Sequence, residues 1–98
     1  MRLVVSIISR SKRKSITTID GTDALQQDME LDDLLKLFRN QFASGVNSPE
    51  PGTLQIQGDI GEEICDFLID QFGVDPDDIY FDVEGKEVRA RDTLYYFG

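Results

Sequence analysis

The sequence predicts an α+β domain in the order β-β-α-β-α-β, with two helices packed on one face of a mainly antiparallel sheet. Three observations predict it. Short segments rich in β-branched residues occur at both ends of the chain and between two helical patterns. Two apolar stripes recur at helical spacing. Glycine- and proline-containing turns fall between these segments.

Leu3-Val4-Val5-Ser6-Ile7-Ile8 reads as the first strand and Ser15-Ile16-Thr17-Thr18-Ile19 as the second, closed by Asp20-Gly21. Ser9 to Lys14 is polar and basic and is expected to be the loop of a hairpin that projects its charges at one end. Thr22 to Glu30 reads as a polar approach to the first helix. Leu31, Leu34, Leu35, Phe38 and Phe42 form one stripe of that helix. Asp28, Asp32 and Asp33 near its start suit the unpaired amides there, while Lys36 and Arg39 come later, and the helix is expected to stop near Ala43. Val46 to Gly52 is composed of turn formers and is expected to be a loop. Thr53-Leu54-Gln55-Ile56-Gln57 alternates polar and apolar, as a strand with one buried face does. After Gly58, Asp59 reads as a helix N-cap with Glu62 as its capping-box partner. Ile60, Ile64, Phe67, Leu68 and Phe72 make the second stripe, and Gly73 suits the helix end. Asp75-Pro76-Asp77-Asp78 caps a short turn, and Ile79-Tyr80-Phe81 is expected to be the last core strand. Glu84-Gly85-Lys86 fits a tight turn between Val83 and Val88. Leu94-Tyr95-Tyr96-Phe97 is left open between an added edge strand, a segment tucked on the core and a partner-binding patch.

Ninety-eight residues, 40% of them hydrophobic, support one modest core. No stretch approaches the roughly 18 apolar residues of a membrane span, and Ser6 breaks the first apolar run, so no membrane partner is expected and the cytoplasm is the expected compartment. The single cysteine, Cys65, lies beside the second stripe and reads as a buried thiol. The chain has no histidine, the commonest general base near neutral pH and the commonest metal ligand. Asp75, Asp77 and Asp78 lack the spacing and distal glutamate of a calcium loop. The strand-turn-helix at Gln57-Gly58-Asp59-Ile60-Gly61 has the context of a phosphate loop but not its glycine order, and a carboxylate would repel there. No enzyme activity, metal or cofactor is therefore expected.

The net charge is -9, but it is unevenly spread. The first fourteen residues hold Arg2, Arg10, Lys12, Arg13 and Lys14 and no acid, while the rest of the chain is strongly acidic. Arg10-Ser11-Lys12-Arg13-Lys14 is the clearest candidate site: clustered cations attract phosphate, and arginine adds bidentate geometry. No aromatic side chain interleaves them, so the contact expected is to RNA backbone and shape rather than to base identity. The competing reading is an acidic protein–protein interaction module with no direct RNA contact.

Three blocks carry a resemblance: Lys14 to Gly21, Leu31 to Gly45, and Leu54 to Asp59 followed by a helix ending Phe67-Leu68. Their order and spacing resemble the SUI1 domain, the fold of eukaryotic translation initiation factor 1. Within that family, Val5 to Lys14 is most similar to the C-terminal domains of density-regulated proteins, with the ligatin-type initiation factors a near alternative. The resemblance implies a SUI1-like domain over residues 1–81 and a C-terminal extension over 82–98. It implies binding to the small ribosomal subunit near the P site, in the vicinity of mRNA and initiator tRNA, during start-codon selection, reinitiation or recycling. It also implies another initiation factor as partner and a monomer when free. Carried over to this chain, the RNA contact falls on Arg10, Lys12, Arg13 and Lys14, with further contacts from Lys36, Arg39, Gln57, Gly58 and Asp59. After Gly58-Asp59 the family is more basic, where this chain has Ile60-Gly61-Glu62-Glu63.

Overall fold

A computed structural model of the chain describes residues 1–11, 14–27, 29–83 and 85–92, without the side chains of residues 9–11, 83 and 91. The expectations placed on Lys12, Arg13, Asp28, Glu84, the Arg10 side chain and Leu94 to Phe97 lie outside these described residues. Six strands, β1 (Leu3–Ser11), β2 (Lys14–Asp20), β3 (Val46–Glu50), β4 (Thr53–Gln57), β5 (Ile79–Val83) and β6 (Lys86–Arg89), form one sheet in the order β3-β4-β2-β1-β5-β6. All neighbours are antiparallel except β1 and β5. The helices are α1 (Leu31–Phe42) and α2 (Gly61–Phe72).

Strand alternation sorts the sheet into two faces. Leu3 and Val5 on β1 sit in register with Ile79 and Phe81 on β5, Val5 also opposes Ile19 on β2, and Ile19 in turn faces Leu54 on β4. These residues, all 2% exposed or less, join Leu34 and Phe38 of α1 and Ile64 and Leu68 of α2 in one apolar cluster. Phe38 is its aromatic hub, with ring centroids 5.1 Å from Phe67 and 6.1 Å from both Phe42 and Phe72. The stripes predicted from spacing are the ones that pack, except that Leu31 at the start of α1 is 36% exposed.

Three expectations are corrected. Val46 to Glu50 is a strand, not a loop. Val46 opposes Ile56, Asn47 opposes Gln55, and the register shifts before Glu50. Its turn-forming composition misled because β3 is an edge strand, where a proline without an N–H is tolerated and an irregularity costs little. The polar approach contains a 3-10 turn over Thr22–Gln26 that buries Leu25. The basic loop is shorter than expected, since β1 runs on to Ser11 and β2 starts at Lys14, with Ser11 opposite Lys14 and a register shift around Arg10. At the other edge, β5 continues to Val83, and β6 pairs back along it from Lys86 opposite Val83 to Arg89 opposite Tyr80. At that edge the Arg2 guanidinium pairs with Glu87 and lies 4.9 Å from the centre of the Tyr80 ring.

Candidate functional site

The β1–β2 hairpin projects from the middle of the sheet, and its base meets two other segments. Ile16 of β2 is opposite Gln57, the last residue of β4. One step on, the Gly58 amide donates to the Ser15 carbonyl at 2.8 Å. The Gln57 amide donates to the Gly45 carbonyl at 3.0 Å, which brings in the loop just after α1. Lys14, Gln57, Gly58 and the C-terminal end of α1 therefore share one end of the sheet.

A buried threonine fixes this turn. Thr17 is fully buried on the helix-covered face, opposite Ile56. Its Oγ1 donates to the Gly58 carbonyl at 2.7 Å and accepts from the Ile60 amide at 3.1 Å. Gly58 has φ +118°, a conformation for which glycine is the natural residue. The second of those bonds changes the predicted start of α2. The helix begins at Gly61, one residue later than a cap at Asp59 requires, and no side chain of its own segment caps it. Thr17 satisfies Ile60 from across the sheet, so Asp59 is left exposed with its carboxylate uncommitted among the described residues. The capping box with Glu62 is absent for the same reason: Glu62 falls at the second helical position rather than the third.

The remaining predicted residues divide. Lys14 is exposed at the start of β2, and Arg10 lies in the last part of β1. Arg39, in the last turn of α1, donates from Nη2 to the Val46 carbonyl at 2.9 Å. It ties α1 to β3 and so has part of its donor capacity already in use. Lys36 is exposed one turn earlier on α1. The structure thus brings Arg10, Lys14 and Gln57 to Asp59 to one end, while Lys36 and Arg39 are reached along α1. Sequence reading missed Thr17. Its signal was a polar residue at a core-facing position of an alternating strand, between Ser15 and Ile19.

Charge is unevenly spread along the chain. Between Asn40 and Gly85 the chain has eleven carboxylates and no lysine or arginine. α2 carries four of those acids on its exposed side, Glu62, Glu63, Asp66 and Asp70. Cys65, on its inner side, is 1% exposed, and burial, with the Asp66 carboxylate beside it, pushes its thiol up to about 11. It is therefore a protonated, unreactive thiol near neutral pH. Among the described residues no cluster of histidine, cysteine or acidic side chains is placed to hold a metal, and no helix is long and apolar enough to cross a membrane.

Comparison with known proteins agrees with this architecture. The family model for translation initiation factor SUI1 matches residues 2–75. The chain is 30% identical over 97 residues to a density-regulated protein homolog of Dictyostelium discoideum, covering 92% of this chain and 42% of that protein. It is 31% identical over 94 residues to translation machinery-associated protein 22 of Schizosaccharomyces pombe, covering 92% and 48%. It is 34% identical over 74 residues to eukaryotic translation initiation factor eIF-1 of Saccharomyces cerevisiae, covering 71% and 66%. The chain spans less than half the length of the first two of these relatives.

Proposed function

Because the chain belongs to the SUI1 family of translation initiation factors, we propose that it docks on the ribosomal RNA of the small subunit near the P site, through the β1–β2 hairpin, during start-codon selection, reinitiation or recycling. Arg10, Lys12, Arg13 and Lys14 supply the cations that meet phosphate. The Gln57-Gly58-Asp59 turn forms the shoulder beside them, and Lys36 and Arg39 add charge along α1. In this reading the chain works by occupancy rather than by chemistry, near mRNA and initiator tRNA, in the cytoplasm, as a monomer when free and alongside another initiation factor. The whole relatives' partners extend to this chain only as part of the same proposal.

The observation that carries the reading is the segregation of charge. Lys14 opens β2 at the end of the sheet where the hydrogen bonds around Thr17 hold the Gln57 to Ile60 turn, while the acids of α2 lie on the exposed side of that helix. A net acidic protein can meet a polyanion only where such a segregated edge exists.

Co-sedimentation with isolated small ribosomal subunits across a salt series tests it. Four phosphate contacts predict a loss of affinity of about a hundredfold between 50 and 200 mM salt. Changing Arg10, Lys12, Arg13 and Lys14 together to alanine should abolish binding at the lower salt. Absence of binding by the folded wild-type chain at low salt, or full binding by the quadruple variant, overturns the proposal.

A further inference from the structure

The helix layer holds a groove that the RNA contact does not use. It lies between the last turn of α1 and the outer side of α2, with a volume of about 440 Å³. Phe42 and Phe67 form its floor, the two rings packed edge to face with centroids 5.3 Å apart. Glu63, Asp66 and Asp70 rim it from α2 and Gln41 from α1. The three carboxylates recur at spacings of three and four residues, which puts them on one side of α2.

Glu63 in the first turn suits the unpaired amides there, but Asp66 and Asp70 lie beyond it, and the row as a whole is self-repelling. Like charges three and four residues apart cost about 0.2 to 0.5 kcal/mol per pair when nothing intervenes. Here nothing does: α2 contains no cation, and among the described residues none lies within ion-pair distance of Glu63, Asp66 or Asp70. The nearest lysines and arginines in sequence are Arg39 and Lys36 on one side and Lys86 on the other, and Arg39 is engaged at Val46. A cation brought by a partner would offset that repulsion.

We propose that this groove binds an arginine-bearing segment of a protein partner. Guanidinium suits both of its surfaces. The planar cation stacks on a phenyl ring, and its edge donates two parallel hydrogen bonds to a carboxylate. Carboxylates spread along about two turns of helix fit an extended segment with several cations, and they do not converge as metal ligands do. The same charge excludes RNA and acidic peptides from this face. The inference is independent of the RNA-docking proposal: the two surfaces carry opposite charge and use no common residue.

The experiment is fluorescence anisotropy with a short labelled peptide of alternating arginine and serine, at low salt, against the intact chain. Wild type should bind saturably. The variant Glu63→Gln/Asp66→Asn/Asp70→Asn should bind at least about tenfold more weakly. A control with the same change in net charge, Glu30→Gln/Asp32→Asn/Asp33→Asn at the far end of α1, should lose less than about twofold. A peptide with lysine for arginine should bind more weakly than the arginine peptide. All six positions are exposed, and circular dichroism confirms that each variant is folded. The alanine variant of Arg10, Lys12, Arg13 and Lys14 should bind the peptide at least as tightly as wild type, which separates this result from any outcome with ribosomal subunits. Equal losses in the two acidic triples would reduce the effect to net charge and overturn the proposal, as would no binding by wild type.

Discussion

The hairpin end of the sheet and the helix layer behind it are built by opposite means. At the hairpin end the described contacts are hydrogen bonds: Gly58 to Ser15, Gln57 to Gly45, and the two bonds of Thr17. In the helix layer the contacts are apolar, centred on the rings of Phe38, Phe42, Phe67 and Phe72. The first region includes the exposed Lys14, and in the second the outer side of α2 carries four carboxylates. The difference teaches where stability and recognition reside. Burying apolar surface holds the fold, so the charges outside it can be exchanged without unfolding the chain.

Truncating the aromatic hub is the strongest way to test that division. Phe38 is fully buried and packs on three other rings. Phe38→Ala should cost about 3 to 5 kcal/mol in a urea melt, a large share of the stability of a domain this small. The quadruple alanine variant of Arg10, Lys12, Arg13 and Lys14 should change stability by no more than about 0.5 kcal/mol. A hairpin variant as unstable as Phe38→Ala would show that the cations support the fold, and the division would fail.

Backbone positions should follow the same contrast at smaller scale. Gly21, at the turn after β2, has φ +97°, and a Cβ there would lie 2.2 Å from the Arg2 carbonyl oxygen. Gly73, which ends α2, has φ +65° and open space around it. Gly73→Ala should therefore cost only the conformational term, about 1 kcal/mol. Gly21→Ala adds a clash with backbone that cannot turn aside, and it should cost at least about 2 kcal/mol. Thermal melts of the two variants give the ranking directly.

Thr17 and Thr18 bring the comparison down to adjacent residues on one strand. Thr17 faces the helices and joins the two regions, since its hydroxyl bonds both ends of the turn that leads into α2. Thr17→Val leaves the Gly58 carbonyl and the Ile60 amide unpaired and should cost about 2 kcal/mol. It should also weaken ribosomal-subunit binding beyond its effect on folding, because it frees the Gln57 to Asp59 shoulder. Thr18 points to the opposite face, and its buried Oγ1 has no hydrogen-bond partner among the described residues. Thr18→Val keeps the shape and removes a polar atom without compensation, so it should be neutral or stabilising by up to about 1 kcal/mol. If both variants lose the same amount, the two hydrogen bonds of Thr17 are not what holds the turn.

What the sequence shows and what it hides follow the same physical line. Periodic burial was readable: the stripes Leu34-Leu35-Phe38-Phe42 and Ile64-Phe67-Leu68-Phe72 and the alternation in Thr53–Gln57 all report the core directly. The clustering of cations before β2 was readable as composition. β3 was not, because an edge strand paired on one side tolerates the asparagine, serine and proline that signal a turn elsewhere. The start of α2 was not, because its partner, Thr17, is 43 residues away in sequence and local capping rules cannot see it. The groove over Phe42 and Phe67 needed two helices brought side by side. Each acid reads as ordinary surface until the packing sets Glu63, Asp66 and Asp70 around one groove.

Cys65 gives the smallest effect and reads the dryness of the helix layer. The thiol is pushed up to about 11 from an ordinary value near 9, first by burial and then by the Asp66 carboxylate. The unfolded chain therefore loses this proton at lower pH than the folded one. The folded state has its full advantage below pH 9 and loses it progressively as the pH rises toward 11. Comparing urea midpoints of the wild type and Cys65→Ala isolates that dependence from the rest of the chain. The gap between the two proteins should shift against the wild type as the pH climbs from 9 to 11, and stay constant below 9. At pH 8 a thiol reagent should modify the folded chain only as fast as the helix layer opens, and Phe38→Ala should accelerate that reaction while the hairpin variant leaves it unchanged. Equal acceleration by both would mean that the two regions open together, and that the hairpin end and the helix layer differ in chemistry but not in stability.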